Sequence, residues 1–255
     1  MNNIFSISKS GMNAYQEKLD YIANDLANMS TTGYKSTDIG FKDLLTETLD
    51  RKGTPLNDKT AVNGTGVRTG INYSKNTQGN LLNTGGKTDL AIDGEGYFAI
   101  YQGDGTIAYT RDGSLKVDAN GTLVDALGNK VYIQYAGEAS EGEPALKADD
   151  LSINQNGEIS MKIGEEMVDI GKIPLFTAIG DKSFIPIGNN YFVPTEDAQV
   201  TESTDYDIIQ GMLEGSNVNV GEAFTDMILS QRAFQLNSKA ISVADDLWGM
   251  INSMR

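Results

Sequence analysis

SNVNVGEAFTDMILSQRAFQLNSKAISVADDLWGMINSMR, residues 216–255, decides the fold. Val220, Met227, Phe234, Ile241 and Trp248 recur every seven residues, and Ala223, Ser230, Asn237, Ala244 and Ile251 each follow by three. That is the spacing of a helical seam kept over about four heptads. A second row, Leu229, Leu236, Val243 and Met250, lies two residues after the first, and so roughly 200° around the helix. One partner cannot cover both rows. Asn219 is placed to cap the N-terminus, with Glu222 three residues on. Neither Gly nor Pro interrupts the run from Glu222 until Gly249. The spacing predicts a helix of roughly 45–50 Å.

The other end of the chain carries a matching pattern. Tyr15, Leu19, Ile22, Leu26 and Met29 step by 4, 3, 4 and 3, and Ile4 and Met12 extend the row backwards. Ser30-Thr31-Thr32-Gly33 ends it, with Gly33 available as a left-handed cap. Helical seams at both ends, separated by residues of different character, imply that the ends meet in one discontinuous domain.

Between them the grammar is that of β structure. Asp93-Gly94, Asp104-Gly105, Asp112-Gly113, Asn120-Gly121 and Gly128-Asn129 are turn pairs separated by alternating runs such as Tyr97-Phe98-Ala99-Ile100-Tyr101. Residues 36–50 place Phe41, Leu44 and Leu45 on one helical face and read as a short amphipathic turn or two. Residues 51–66, rich in Gly, Asn and Lys, read as a loop or linker. Residues 202–213 read as the return to the terminal helix. The expected fold is therefore α+β: a helical domain of residues 1–50 with 202–255, a linker at 51–66, and an all-β middle domain at 67–201.

Three motifs in this order carry a resemblance. The first runs from Ala14-Tyr15-Gln16-Glu17-Lys18-Leu19 through Asp20-Tyr21-Ile22-Ala23-Asn24-Asp25-Leu26-Ala27-Asn28 to Thr32-Gly33-Tyr34-Lys35. The second comprises Asp89-Leu90-Ala91-Ile92-Asp93-Gly94-Glu95-Gly96-Tyr97-Phe98 and Tyr109-Thr110-Arg111-Asp112-Gly113. The third comprises Leu213-Glu214-Gly215-Ser216-Asn217-Val218-Asn219-Val220 and Gln231-Arg232-Ala233-Phe234. Together they resemble the bacterial flagellar rod and hook proteins over most of the chain, more the distal-rod than the proximal type. Asp25 departs from the family pattern, which usually has Asn there, and adds a charge to a packed face.

The resemblance implies a structural subunit of the flagellar basal-body rod that polymerises into a helical tube and transmits torque from motor to hook. Its implied partners are copies of itself, neighbouring rod and hook proteins, and the flagellar type III export apparatus. Its implied location is the basal body in the cell envelope, reached by export across the cytoplasmic membrane. The residues expected at the assembly interface are Tyr15, Leu19, Ile22, Leu26, Met29, Val220, Met227, Phe234, Ile241, Trp248 and Ile251. In the resembling family, residues 51–66 help distinguish rod from hook types.

Composition narrows the chemistry independently. The 255 residues carry a net charge of −15, which argues against nucleic acid or an anionic membrane as partner. Residues 1–50 hold 4 basic and 7 acidic groups, residues 217–255 hold 3 and 4, and residues 51–216 hold 13 and 24. Nearly neutral ends suit self-packing, and an acidic middle suits an outward surface. The chain has no Cys and no His, so there is no disulfide, no cysteine nucleophile and no imidazole base or ligand. No apolar run reaches 18 residues, so no direct membrane insertion is expected. The N-terminus has no cleavable secretory pattern.

Candidate carboxylate pairs are Asp93 with Glu95, Asp149 with Asp150, and Glu165 with Glu166. The first is explained by turn geometry and the others lie in polar surroundings. Asp118-Ala119-Asn120-Gly121 lacks the order of a calcium loop. No catalytic, metal or cofactor residues are expected. A surface adhesin or binding module built on the β domain would explain its acidity but would leave both heptad ends idle, and a wall-degrading hydrolase is the third class.

Overall fold

The computed structural model describes residues 2–44, 46–48, 62–103, 105–135, 145–163, 166–178, 184–195 and 198–254. The chain divides into two compact units. One comprises Met1–Ala27, Thr37–Tyr73 and Asn219–Arg255, the other Asn28–Ser36 and Ser74–Val218. The architecture is α+β, with a long helix near each end and strands between.

In the first unit, helix α1 (Asn2–Ala27) packs along helix α2 (Val220–Ser253). Asn219 caps α2 as its sequence implies, its Oδ1 accepting from the N–H groups of Gly221 at 3.1 Å and Glu222 at 3.3 Å. Small and polar side chains are the buried ones: Ser8, Gly11 and Ala14 on α1, Ser230 and Ala244 on α2. The helix axes therefore come close. Ile22 is the only bulky residue of the α1 seam that is fully buried.

Helix α1 ends at Ala27, before the expected Gly33 cap. Gly33 does adopt a left-handed φ of 67°, but its N–H donates to the Glu214 carbonyl at 2.8 Å, within the second unit. Residues 36–50 correct the helical expectation. Thr37–Asp43 is a strand paired with Val67–Ser74. Ile39 is buried, and Phe41, two residues on and on the same strand face, lies 5.2 Å from the Tyr15 ring. Phe41 and Leu44 fit a helix by spacing alone, but the partner strand arrives only after residue 66. Asp25 is put to use there: its carboxylate accepts the Thr37 N–H at 3.1 Å and holds the start of that strand.

Of the expected linker, residues 51–61 lie outside the described residues, and Val62–Gly64 is a strand paired with Thr46–Thr48.

The second unit is built around Tyr97–Tyr101, a strand hydrogen-bonded to Ile107–Thr110, Lys130–Val131 and Leu175–Ala178. It is covered on both faces. Phe98 joins Leu90, Ile92, Leu123, Ile159 and Leu175 in the main core, while Tyr97 and Ala99 join Tyr109 and Phe192 in an aromatic cluster. Alternation along one strand thus separates the main core from the aromatic cluster, and Ile100 at its far end packs in a third, smaller cluster with Ala108 and Tyr191. A four-stranded sheet, ordered Gln134–Tyr135, Glu166–Lys172, Glu158–Ile163, Leu151–Ile153, contributes Ile159 and Ile170 to the main core.

Some turn assignments hold. Gly121 and Gly128 have φ of 77° and 87° and join consecutive antiparallel strands. Two others do not. Gly113 lacks a positive φ; a β-carbon there would lie 1.6 Å from the Leu90 carbonyl oxygen, so this glycine permits a close backbone crossing. Asp93-Gly94 ends a strand, Leu90–Gly94, that pairs with Tyr206–Gln210 rather than with the next strand. Residues 202–213 are likewise corrected. Val200–Glu202, Tyr206–Gln210 and Met212–Glu214 are strands of the β unit, and Ile208 is fully buried there. The boundary of the helical unit falls at Asn219, and residues 67–73, expected in the β domain, group with the helices.

Candidate functional site

Two features stand out, one in each unit. The first is the face of α2. Ser230 and Ala244 of the seam are buried, and Met227, Phe234 and Ile241 are half-buried. The second row is bare: Leu229 is 62 % and Leu236 69 % exposed, and Val243 and Met250 follow them along the helix. Phe224, Ile228 and Leu247 widen this apolar strip, and the sequence reading had not singled them out. Exposed large side chains in this number are unusual on a surface helix.

The remaining expected interface residues divide by exposure. Tyr15, Leu19 and Leu26 are half-buried and Ile22 is buried. Val220, Trp248 and Ile251 are exposed on α2. Met29 is exposed, beyond the end of α1 and in the β unit.

The second feature is a buried cluster of three charges. Glu214 ends a strand that pairs with Leu81–Asn83. Its Oε1 accepts from Lys35 Nζ at 2.5 Å and from the Gly79 N–H at 2.8 Å, and its Oε2 accepts from Arg111 Nη1 at 3.2 Å. All three side chains are almost wholly shielded from solvent. Lys35 also donates to the Thr77 carbonyl at 2.9 Å, and Arg111 Nη2 to the Gly94 carbonyl at 2.8 Å. The Arg111 guanidinium lies 5.3 Å from the Tyr97 ring centroid. Burial pulls the Lys35 amine below the ordinary lysine value; Glu214 opposes that shift and Arg111 adds to it.

Around the cluster, Asn217 joins three chain segments. Its Oδ1 accepts the Ser36 N–H at 2.7 Å, and its Nδ2 donates to the carbonyls of Lys75 at 2.7 Å and Thr77 at 3.0 Å. Thr32 Oγ1 donates to Asp112 at 2.8 Å. Residues from all three sequence motifs therefore meet at one point: Thr32, Gly33 and Lys35; Gly94, Arg111 and Asp112; Glu214 and Asn217. In sequence these residues stand in separate motifs, with nothing local to join them. Their only signal was a set of isolated charges inside otherwise apolar or Gly-rich motifs.

The carboxylate pairs form no comparable site. Asp93 is exposed and accepts from Gln78 at 3.1 Å, Asp149 and Asp150 lie exposed in a short turn, and Asp118 accepts from Asn120 at 3.1 Å. Glu165 lies outside the described residues. Among the described residues, no helix is long and apolar enough to cross a membrane.

Paired terminal helices, one of them carrying a long uncovered apolar row, mark the chain as a protein that packs against other proteins. Comparison with known proteins gives that class its family. Residues 5–35 match the flagella basal body rod protein family, residues 91–161 the D1 domain of the flagellar hook protein FlgE/F/G family, and residues 209–254 the C-terminal family of flagellar basal body rod FlgEFG proteins. The chain is 36 % identical over 261 residues to the flagellar basal-body rod protein FlgG of Borreliella burgdorferi, with 96 % of each chain covered. It is 34 % identical over 261 residues to that of Agrobacterium fabrum, covering 97 % of each, and 33 % identical over 250 residues to that of Bacillus subtilis, covering 93 % of each. The chain belongs to the flagellar basal-body rod protein family, most like its distal-rod FlgG members, and is a structural subunit of the rod.

Proposed function

We propose that this subunit polymerises with copies of itself through its terminal helices into the helical tube of the rod. It passes torque from motor to hook through packing alone, with no catalytic step. The observation that carries this reading is the bare row Leu229, Leu236, Val243 and Met250 on α2, a helix whose other side already packs on α1. A second copy fits that row because residues 217–255 hold 3 basic and 4 acidic groups, so like surfaces meet with little repulsion. The half-buried residues Tyr15, Leu19, Leu26, Met227, Phe234 and Ile241 would complete the contact with the exposed Met29, Val220, Trp248 and Ile251, while Ile22, already buried within the subunit, would support it from behind. A heterologous contact of this kind repeats without closing and builds a tube. Neighbouring rod and hook proteins would continue the same packing at the ends. Family membership further supports delivery to the basal body through the flagellar type III export apparatus.

Leu236→Asp and Val243→Asp test the reading. Both positions are exposed in the single chain, so folding should survive, whereas a covered, unpaired carboxylate would weaken every repeated contact. The expected result is a folded protein by circular dichroism that neither polymerises nor restores motility to a strain lacking the subunit. Normal rods from both variants would overturn the assignment of this face.

A further inference from the structure

Lys35, Arg111 and Glu214 come from segments far apart in sequence, and their charges do not balance. Two cations share one carboxylate, and Arg111 Nε has no hydrogen-bond partner among the described residues. Without Glu214, the site would hold two like charges out of water, a configuration that costs several kcal/mol. Glu214 therefore does more than pair with Lys35. Its carboxylate is the condition for Lys35 to be buried beside Arg111 at all.

The segment carrying Lys35 is also tied to the β unit by backbone and side-chain bonds, among them Thr32 Oγ1 to Asp112 at 2.8 Å and Asn190 Nδ2 to the Thr32 carbonyl at 2.9 Å. The Gly33 N–H donates to the Glu214 carbonyl at 2.8 Å, and the Ser36 N–H to Asn217 at 2.7 Å. The Asn217 N–H donates back to the Tyr34 carbonyl at 3.4 Å, and the Lys75 N–H to the Ser36 carbonyl at 2.8 Å. Three of these six bonds involve residues 214–217. The main core does not depend on them, since Leu90, Phe98, Leu123, Ile159 and Leu175 pack without residues 28–36.

We propose that Glu214 is the closing element of a conformational latch: residues 28–36 cannot dock onto the β unit until Glu214 is in place to neutralise Lys35 and Arg111. The chain grows from its N-terminus, so residues 28–36 are made long before residue 214. The latch keeps that early segment undocked until nearly the whole chain exists. It then fixes, in one step, the segment that follows α1 and the segment that precedes α2 in sequence. The device is independent of polymerisation and acts in the single chain. The lowered amine value at Lys35, caused first by burial, fits a lysine whose charge is tolerated only through its partner.

Amide hydrogen exchange on the full-length monomer tests the latch, with Glu214→Gln, Lys35→Met and the double variant compared with the parent chain. Glu214→Gln keeps the shape and strands two cations. The Gly33 and Ser36 amides should then exchange about tenfold faster or more, while the core Ile100 amide is unchanged. Adding Lys35→Met removes the repulsion, so the double variant should recover most of the lost Gly33 and Ser36 protection. An uncharged packing contact would not be rescued by deleting its second partner. Three outcomes would overturn the proposal: unchanged exchange in Glu214→Gln, equal acceleration at Ile100, or a double variant no better than Glu214→Gln alone. None of them bears on the α2 face, which Leu236→Asp reports separately.

Discussion

Gly11 on α1 faces the side-chain amide of Asn237 on α2, so closely that a β-carbon at Gly11 would lie 3.2 Å from that amide's nitrogen and oxygen alike. The Asn237 amide is itself anchored, donating to the Ala233 carbonyl at 3.0 Å. This small-to-polar contact lets two helices approach while their bulky residues remain elsewhere.

The contact predicts a sign change between two substitutions. Gly11→Ala needs only a few tenths of an ångström of movement from Asn237 and gains about 1 kcal/mol of helix propensity. It should be neutral or stabilising. Gly11→Leu must push the helices apart and should cost about 1–3 kcal/mol. Thermal melts of the helical circular dichroism signal would separate the two, and a tolerated leucine would show that the helices do not meet there.

Gly113 and Gly128 were both read as turn glycines, and they should behave differently. Gly128 has φ of 87° and open space around it, so alanine there costs about 1 kcal/mol of left-handed strain. At Gly113 the added carbon would overlap the Leu90 carbonyl at 1.6 Å, forcing two backbones of the main core apart. Gly113→Ala should cost at least about 3 kcal/mol, in the range reserved for severe core disruption. Urea midpoints of the two variants give the comparison, and similar midpoints would contradict the crossing geometry.

What the sequence could show depended on the range of the interaction. Asn219, Glu222 and the seven-residue rows announce α2 because capping and periodicity are local. Gly121 and Gly128 announce hairpins for the same reason. Thr37–Asp43 was missed because Phe41 and Leu44 satisfy a helical spacing, while the strand that settles the matter, Val67–Ser74, comes later in the chain. Residues 206–214 were missed because their partners, Leu81–Asn83 and Leu90–Gly94, lie more than 100 residues earlier. The charge cluster was hidden most completely: Lys35 and Glu214 are 179 positions apart, and each alone looks like a solvated surface group.

Tyr191 gives the β unit a pH limit. Its hydroxyl donates to Asp125 and accepts from Asn129 Nδ2 at 2.9 Å. Burial first, and then the bond to Asp125, hold the phenol well above its ordinary value of 10.0. A raised folded value means that the folded state keeps its proton where the unfolded chain has lost it. The stability is thus fully present below about pH 10 and is lost as pH rises through the folded value. Burial raises Tyr97, Tyr101 and Tyr109 in the same direction. Lys172, held up first by its bond to Glu202, adds to them, whereas Lys35, with its lowered value, works the other way below 10.5, one group against five. The urea midpoint should fall between pH 9.5 and 11 by about 1 kcal/mol or more per unit. Tyr191→Phe should start about 1–2 kcal/mol less stable at pH 7, having lost its bond to Asp125, and then decline less steeply. Parallel pH profiles for the two proteins would exclude Tyr191 as a contributor.

Trp248 is the only tryptophan in the chain and lies near the end of α2, 49 % exposed. In the single chain its indole meets water, so emission should be at long wavelength and open to a soluble quencher. Acrylamide is the suitable probe. Iodide would be repelled by Asp245 and Asp246 beside the tryptophan and by the net charge of −15, giving a falsely shielded reading. In the polymer, a large aromatic side chain on an assembly helix is worth covering, because its burial contributes more than that of any aliphatic residue in the row. Emission should therefore move to shorter wavelength and quenching should drop several-fold as polymer forms. The β unit contributes no tryptophan, so the signal has a single source. Leu236→Asp, which keeps the chain monomeric, should abolish the shift without changing the starting spectrum. Polymer that forms with Trp248 still fully quenchable would place the contact on another part of the molecule and remove the end of α2 from the interface.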